Sequence, residues 1–502
     1  MNVVILGGGT AGWLTAFVLG SVAKKCKIKI IESIDVPIIG VGEGSTAIFA
    51  DLVNGHFFES NADINEFQKQ LEITPKLAIH FKDWNLGEEY YSPVDNTSSI
   101  RAMKDKLFLS ALSQGKEKVH LSSQSGYCVE NNKMFGGAFH FNTNNVGTYF
   151  RPLVEKLGVE YETNTIKKVN LDENGFVKSL TGQNGETING DFFIDATGFA
   201  KVLIRELDYN WIDFKNHLPM DRAIPFNIHY EDMSKDDFND LKAVTTAQAM
   251  KAGWQWKIPT THRIGAGYIY DSTEISDDEA YKEMCEFYNV KEIRSSQPSI
   301  KFRSGRLENQ WMKNVLAIGL SGAFAEPLQA TSIHTTIVQL IMFAQSYVKE
   351  DIKETLNEKS MKRFNENVAR LYDDMRDFLV LHYTTKREDT SFWKKIKKQE
   401  HLTPNVKDIL EYCKHSVPDN DTLPHYMGFV GTGLWNWTLA GLGHITPELA
   451  NKELEFYGIK NEQAYNDYLL NCDINSAKAI SFQKFLIDNN PNIKEKFENV
   501  WY

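Results

Sequence analysis

The stretch "EPLQATSIH", Glu326 to His334, concentrates residue types that can do chemistry. Thr331 and Ser332 stand where a glycine-bearing strand and turn ("VLAIGLSGAF") give way to a long apolar helical pattern ("TTIVQLIMFAQSYV"). Hydroxyls and unpaired backbone N–H groups at a helix start are the makings of an anion site, and they cap a helix equally well. Just before them come Glu326, whose carboxyl can exchange a proton, and Gln329, whose carboxamide can only hydrogen-bond.

A second cluster is built from glycine. Gly7-x-Gly9-x-x-Gly12 follows the apolar run "NVVIL" and opens a helical pattern, and a second apolar run ends at the acidic Glu32. In a strand–turn–helix–strand context this spacing predicts a dinucleotide site. Gly7 permits the tight turn, Gly9 lets a pyrophosphate approach the backbone, Gly12 allows close helix packing, and Glu32 can hold a ribose hydroxyl.

These residues need elements to position them. "GDFFIDATGFAKVL" (Gly190 to Leu203) and "KNVLAIGLSGAF" (Lys313 to Phe324, with Gly319 at its turn) repeat the strand-into-glycine-turn grammar far from the first unit. The pattern predicts a cofactor domain assembled from separated segments, in which Asp195 either contacts the nucleotide or only forms the turn. Between them, "AIPFNIHY" and "GWQWKIPTTHRIGAGYIYD" alternate like antiparallel strands. On such a strand Trp254, Trp256 and Ile258 share one face. After about residue 350 the apolar positions recur at helical spacing. The expected fold is α/β: a Rossmann-like parallel sheet with an inserted antiparallel sheet in residues 1–350, and a mainly helical C-terminal module in 351–502 that closes the substrate site. Around Lys76, "ITPKLAIHFKDW" fits a strand or a helix start, and a solvated lysine is the ordinary expectation.

Composition narrows the function. A net charge of -11 over 502 residues argues against nucleic acid and anionic membranes as partners. No apolar run is long enough to span a bilayer. Five scattered cysteines without a C-x-x-C pair predict neither a disulfide framework nor a metal site, and point to a reducing cytoplasm.

Taken together, the motifs resemble the flavin-dependent tryptophan halogenase family. "GGGTAGW" (Gly7 to Trp13, including Thr10 and Ala11) looks like its opening fingerprint, and "GVGEGST" (Gly40 to Thr46) like its flavin-side loop, with Gly42 and Glu43 near the cofactor. "GWQWKIP" (Gly253 to Pro259) carries the W-x-W-x-I-P signature. "IGLSGAFAEPLQATSIH" and "RDFLVLHYTTKREDTSFW" resemble the halide segment and a later stretch typical of the family. The resemblance implies FAD, reduced by a separate flavin reductase, that with oxygen and halide yields hypohalous acid. It further implies Lys76 as the catalytic lysine holding that acid beside an aromatic substrate, and Thr331 and Ser332 as the halide site. Trp254, Trp256, Ile258 and Pro259 become the wall and tunnel between flavin and substrate.

The sequence also departs from the family. The family reads E-P-L-E-S-T where this chain has Gln329 and Ala330, so the general base is replaced by a carboxamide. Glu326, at the earlier acidic position, is the remaining candidate. No tryptophan clamp is matched in "MGFVGTGLWNWTLAGLGHITPELA", where Trp435 and Trp437 line a pocket or merely pack helices. The expected activity is therefore halogenation of a small electron-rich aromatic, an indole or phenol, with bromide or iodide favoured over chloride. A flavin-dependent aromatic monooxygenase and a non-catalytic flavoprotein are the rival readings, and a homodimer is left open.

Overall fold

The computed structural model describes residues 1–36, 43–60, 62–94, 106–293, 299–348, 351–353, 356–419, 422–423, 432–459 and 462–497. Short apolar runs rich in valine, isoleucine and phenylalanine form its first layer. The strand Asn2–Leu6 pairs in parallel with Lys27–Glu32 on one side and Phe192–Asp195 on the other. Val315–Ala317 extends the sheet beyond Phe192–Asp195, and Glu160–Thr163 lies outside Lys27–Glu32. The registers Leu6↔Asp195 and Asp195↔Ala317 bring three glycine turns, at Gly7, Gly198 and Gly319, to the same edge of the sheet. Separated segments thus supply one cofactor-type sheet, as their shared grammar predicted.

Two helices cover this layer. Thr10–Val22 is buried almost all round, which its uniformly apolar composition requires. Thr331–Tyr347 joins it in one core with Phe192, Ile194 and Trp311.

The second sheet is larger than the sequence suggested. Arg222–His229, Arg263–Tyr270, Gly253–Pro259 and Val244–Ala249 form the expected antiparallel run. Ala78–Lys82 then adds in parallel to Val244–Ala249, with Glu89–Pro93 antiparallel beyond it. The inserted sheet therefore recruits two strands that precede residue 100. A small third sheet orders Glu43–Gly44, Ala138–Phe141 and Thr74–Lys76. It decides the open question at Lys76 in favour of a strand, with Thr74 and Lys76 on one face.

After residue 356 the described chain is helical apart from its connections. Glu358–His382 starts at Asn357, whose side chain accepts from the Ser360 N–H, and runs for 25 residues. Phe364 and Val368 near its start join the core under the first sheet; Phe378, Leu381 and Tyr383 near its end join the core under the second. Among the described residues no helix is long and apolar enough to cross a membrane, and no group of three or more His, Cys, Asp or Glu side chains could hold a metal.

Candidate functional site

A cavity of about 580 Å³ opens along the edge where the glycine turns meet. Gly7, Gly9, Thr10, Ala11, Glu32, Glu43 and Gly319 line it, as do Lys76, Trp256, Ile258 and Ser332. Most of the candidate residues scattered through the sequence thus border one space. Gly42 lies outside the described residues.

The glycines divide the work as their spacing suggested. A Cβ at Gly7, where φ is +120°, would sit 2.3 Å from the Ala196 carbonyl oxygen, and one at Gly12 would sit 1.8 Å from that of Gly7. These two are demanded by packing. A Cβ at Gly9 would meet no protein atom within 4 Å and would project into open space. The helix behind Gly9 has no side-chain cap, so its first N–H groups are available to an anion. Glu32 closes the cradle: its Oε2 accepts from the Tyr161 hydroxyl at 3.0 Å, and Tyr161 is sandwiched between Trp13 and the Arg151 guanidinium. At the opposite end, Thr331 is the first residue of its helix, its side chain outside the described set. The Ser332 hydroxyl lines the cavity, buried and without a hydrogen-bond partner. An orphaned donor at an uncapped helix start suits an anion. The residues therefore fit a dinucleotide with a halide beside it.

Lys76 is not a solvated lysine. It is 1% exposed, and its Nζ donates to the Ser45 carbonyl at 3.1 Å. Burial pushes the amine down to about 7. Two histidines stand close enough to feel its charge, and both are held neutral by their own burial. His334 shares a 2.8 Å hydrogen bond with Thr46, and His140 contacts Thr74 and Thr245. None of these partners was legible in the sequence. They lie between 2 and 258 positions from Lys76, although His334 belongs to the stretch "EPLQATSIH". Glu43, on the same loop as Ser45 and Thr46, is pushed up to about 7 by burial alone.

Glu326 to Ala330 forms a partition. Pro327 and Ala330 line the cavity, whereas Glu326, Leu328 and Gln329 do not. Ala330 makes this corner by adopting the left-handed region (φ +57°), uncommon for a residue with a Cβ. Behind the partition, Glu326 accepts from the Trp254 indole at 3.2 Å and the Tyr383 hydroxyl at 2.8 Å. Trp254 likewise lies behind the wall, while Trp256 and Ile258 face the cavity; Pro259 ends their strand outside it. A Cβ at Gly267 would strike the Trp256 ring, so the tryptophan lies flat across the neighbouring strand only because that residue is glycine.

Gln329 is held by His382. The His382 Nδ1 donates to the Phe378 carbonyl at 2.9 Å, which leaves Nε2 as an acceptor, and Gln329 Nε2 donates to it at 2.8 Å. Burial keeps the imidazole neutral, down at about 4. The carboxamide is thereby oriented, its nitrogen toward His382 and its carbonyl free of that contact.

Glu326 gives a pH prediction. Burial pushes its carboxyl up to about 7 despite the two donors. A carboxyl raised in the fold contributes stability that is complete below its unfolded value, near 4.3, and is lost as pH rises through 7. Glu326→Gln keeps acceptors for Trp254 and Tyr383 and removes the charge. It should therefore raise the melting temperature above pH 7 by about 2–4 °C and leave it unchanged near pH 4. Thermal unfolding at the two pH values checks this.

Asp195 departs from the expected nucleotide contact. It is fully buried, and its carboxylate accepts from the backbone N–H groups of Thr197, Leu203 and Ile204 and from the hydroxyls of Thr197 and Ser321. These donors saturate it, and it does not line the cavity. Asp195 is the tie between two glycine turns. Trp435 and Trp437 are each 1% exposed; Trp435 packs on Phe378 and Trp437 donates to Ser122, so both are packing residues here.

Comparison with known proteins follows the same line. The tryptophan halogenase family model matches residues 2–452. The chain is 31% identical over 468 residues to the 7-chloro-L-tryptophan 6-halogenase KtzR of Kutzneria sp. (strain 744), covering 85% of this chain and 87% of that one. It is 29% identical over 503 residues to the tryptophan 7-halogenase RebH of Lentzea aerocolonigenes, covering 90% and 92% respectively. Its fold is shared with the crystal structure of the tryptophan 6-halogenase SttH from Streptomyces toxytricini, at TM-score 0.85, 24% identity, and coverage of 97% and 99%.

Proposed function

This chain belongs to the tryptophan halogenase family of flavin-dependent enzymes, and on that premise we propose that it halogenates a small electron-rich aromatic, an indole or phenol, through hypohalous acid. The observation that carries the reading is Lys76: a buried amine pushed down to about 7, bordering the same cavity as the dinucleotide glycines. When bound, reduced FAD supplies the electrons that let oxygen convert halide into an electrophilic halogen. Gly9 and the uncapped helix behind it bind the pyrophosphate, Glu32 takes a ribose hydroxyl, and Ser332 with the helix start at Thr331 holds the halide. Trp256 and Ile258 keep the aromatic substrate off the flavin. Lys76 receives the hypohalous acid; an amine near 7 is neutral in a large fraction of molecules at working pH and can hydrogen-bond or capture it. A separate reductase supplies reduced FAD, in keeping with the single dinucleotide fingerprint.

The test is a panel of chloride, bromide and iodide against free indoles and phenols, with a generic flavin reductase and mass analysis of products. Gain of halogen supports the reading; gain of one oxygen without halogen defeats it. Bromide or iodide should outperform chloride, because softer halides are oxidised more readily and Gln329 supplies no base. Best turnover with chloride would remove that preference.

Gln329→Glu probes the departure directly. The new carboxylate would fall on the His382 nitrogen that accepts from Gln329, so one proton would lie between them and blunt the base. The rate on a weakly activated ring should rise by less than about tenfold, against the 10²–10⁴ of a free positioned base. Initial rates on a deactivated phenol decide between the two.

A further inference from the structure

Hydrogen-bond bookkeeping around His140 fixes the direction of a hydroxyl that faces the cavity. Thr74 donates its only hydroxyl proton to the Pro259 carbonyl, which cannot donate in return. The His140 Nδ1 lies 3.2 Å from the same Thr74 oxygen, so the proton in that contact belongs to Nδ1. His140 is fully buried and neutral, so its Nε2 carries a lone pair. The Thr245 hydroxyl, 2.9 Å away, must give its proton to that nitrogen. What Thr245 then presents to the cavity it lines is an oxygen with lone pairs only.

That oxygen stands next to Lys76 without bonding to it. A Cβ on Gly44 would lie 3.1 Å from the Lys76 nitrogen and 3.4 Å from the Thr245 hydroxyl oxygen, so both atoms flank one spot kept open by a glycine. The Lys76 nitrogen is bonded to the Ser45 carbonyl, which leaves part of its hydrogen-bonding capacity for a small guest. Ala330, on the same lining, supplies no hydroxyl.

We propose that Thr245, fixed as an acceptor by His140, receives the O–H of hypohalous acid while Lys76 holds the same molecule through its amine. An acceptor-only oxygen selects a guest with one proton to donate, and the pair of contacts holds that guest beside the Lys76 amine. Thr245 touches the reacting molecule; His140 is a positioning residue that acts through it. This is a binding step, with no bond made or broken at Thr245. It rests on the reading of Lys76 given above.

The test uses the full chain with bromide, a generic flavin reductase and an activated phenol. Its readout is brominated product per oxygen consumed, together with hypobromous acid escaping to an external thioether scavenger. Thr245→Val, which keeps shape and loses the oxygen, should cut the ratio about tenfold and raise escape, whereas Thr245→Ser should restore both. His140→Phe, which lets the Thr245 proton rotate into the cavity, should give an intermediate loss. A reading independent of bound flavin comes from one equivalent of hypochlorous acid added to the flavin-free protein. There N–Cl forms at Lys76 as O–Cl breaks, and the amine proton leaves with hydroxide as water. Peptide mass should show this chlorination about tenfold slower in Thr245→Val. Thr245→Ala serves as the second oxygen-free variant and should behave like Thr245→Val. An unchanged ratio in folded Thr245→Val or Thr245→Ala, or an equal loss in Thr245→Ser, overturns the proposal. Lys76→Ala run in parallel separates the two levels. If it still makes product, the reading of Lys76 fails; if it makes none while the Thr245 variants are unaffected, only this inference fails.

Discussion

Replacing Lys76 with methionine is expected to cut aromatic halogenation by about 10²–10⁴-fold, leave oxidation of reduced FAD running, and make the protein more stable. The first two effects follow from where the amine stands, on the cavity lining and hydrogen-bonded to Ser45 rather than to the Gly7–Gly12 turn. The third follows from burial. The amine is pushed down to about 7 in the fold, whereas an unfolded chain holds it near 10.4. Above pH 10.4 it is neutral in both states and costs nothing. As pH falls, the unfolded chain takes up a proton that the folded one refuses, so stability drops until about pH 7 and then levels off. The full cost is roughly 5 kcal/mol at most. Lys76→Met should therefore gain melting temperature at pH 6.5 and lose that advantage toward pH 10. Retained product, or no gain at pH 6.5, would remove Lys76 from the role assigned to it. A residue that lowers stability in this way is the kind expected at a working site.

The glycine cradle gives the second large effect, through a contrast. Gly12→Ala should abolish folding or cost more than about 4 kcal/mol, because its methyl would lie 1.8 Å from a backbone oxygen that cannot move without breaking the turn. Gly9→Val should leave the melting temperature of the flavin-free protein close to wild type, since a Cβ there meets nothing. Its cost should appear as FAD affinity, lower by about 10–100-fold, because the side chain would fill space the pyrophosphate needs. Melting curves and flavin fluorescence titration separate the two. Equal damage from both substitutions would show that Gly9 does not face the cofactor.

What could be read in advance was local. The spacing of Gly7, Gly9 and Gly12 carries its own geometry, and the alternation of Trp254, Trp256 and Ile258 fixes their common face on a strand whatever surrounds it. The repeated strand-and-turn grammar at Asp195 and Gly319 was enough to place both segments in one cofactor domain with the first strand. What escaped was everything decided by sheets meeting in space. Asp195 looked available to a nucleotide until the fold aimed five donors at it. Gln329 looked like a bare loss of function, yet in its turn it is oriented by a histidine 53 positions away at the end of the helix Glu358–His382. The parallel pairing of Ala78–Lys82 with Val244–Ala249 had no local signal, and that pairing carries Thr245 to the neighbourhood of Lys76.

The groups gathered around the Lys76 amine have one further property in common. The Ser45 carbonyl, the Thr46 and Thr245 hydroxyls and the two imidazoles all carry no net charge. Such a lining works as a filter on protonation state. On the proposed reading, neutral hypohalous acid would enter it at little cost, whereas halide or hypohalite would shed its hydration with only the protonated fraction of Lys76 to meet its charge. On that reading the lining would disfavour the raw halide beside the lysine and favour its oxidised, protonated form. That selection needs no moving gate, and alkali would work against it by ionising the cargo before it enters.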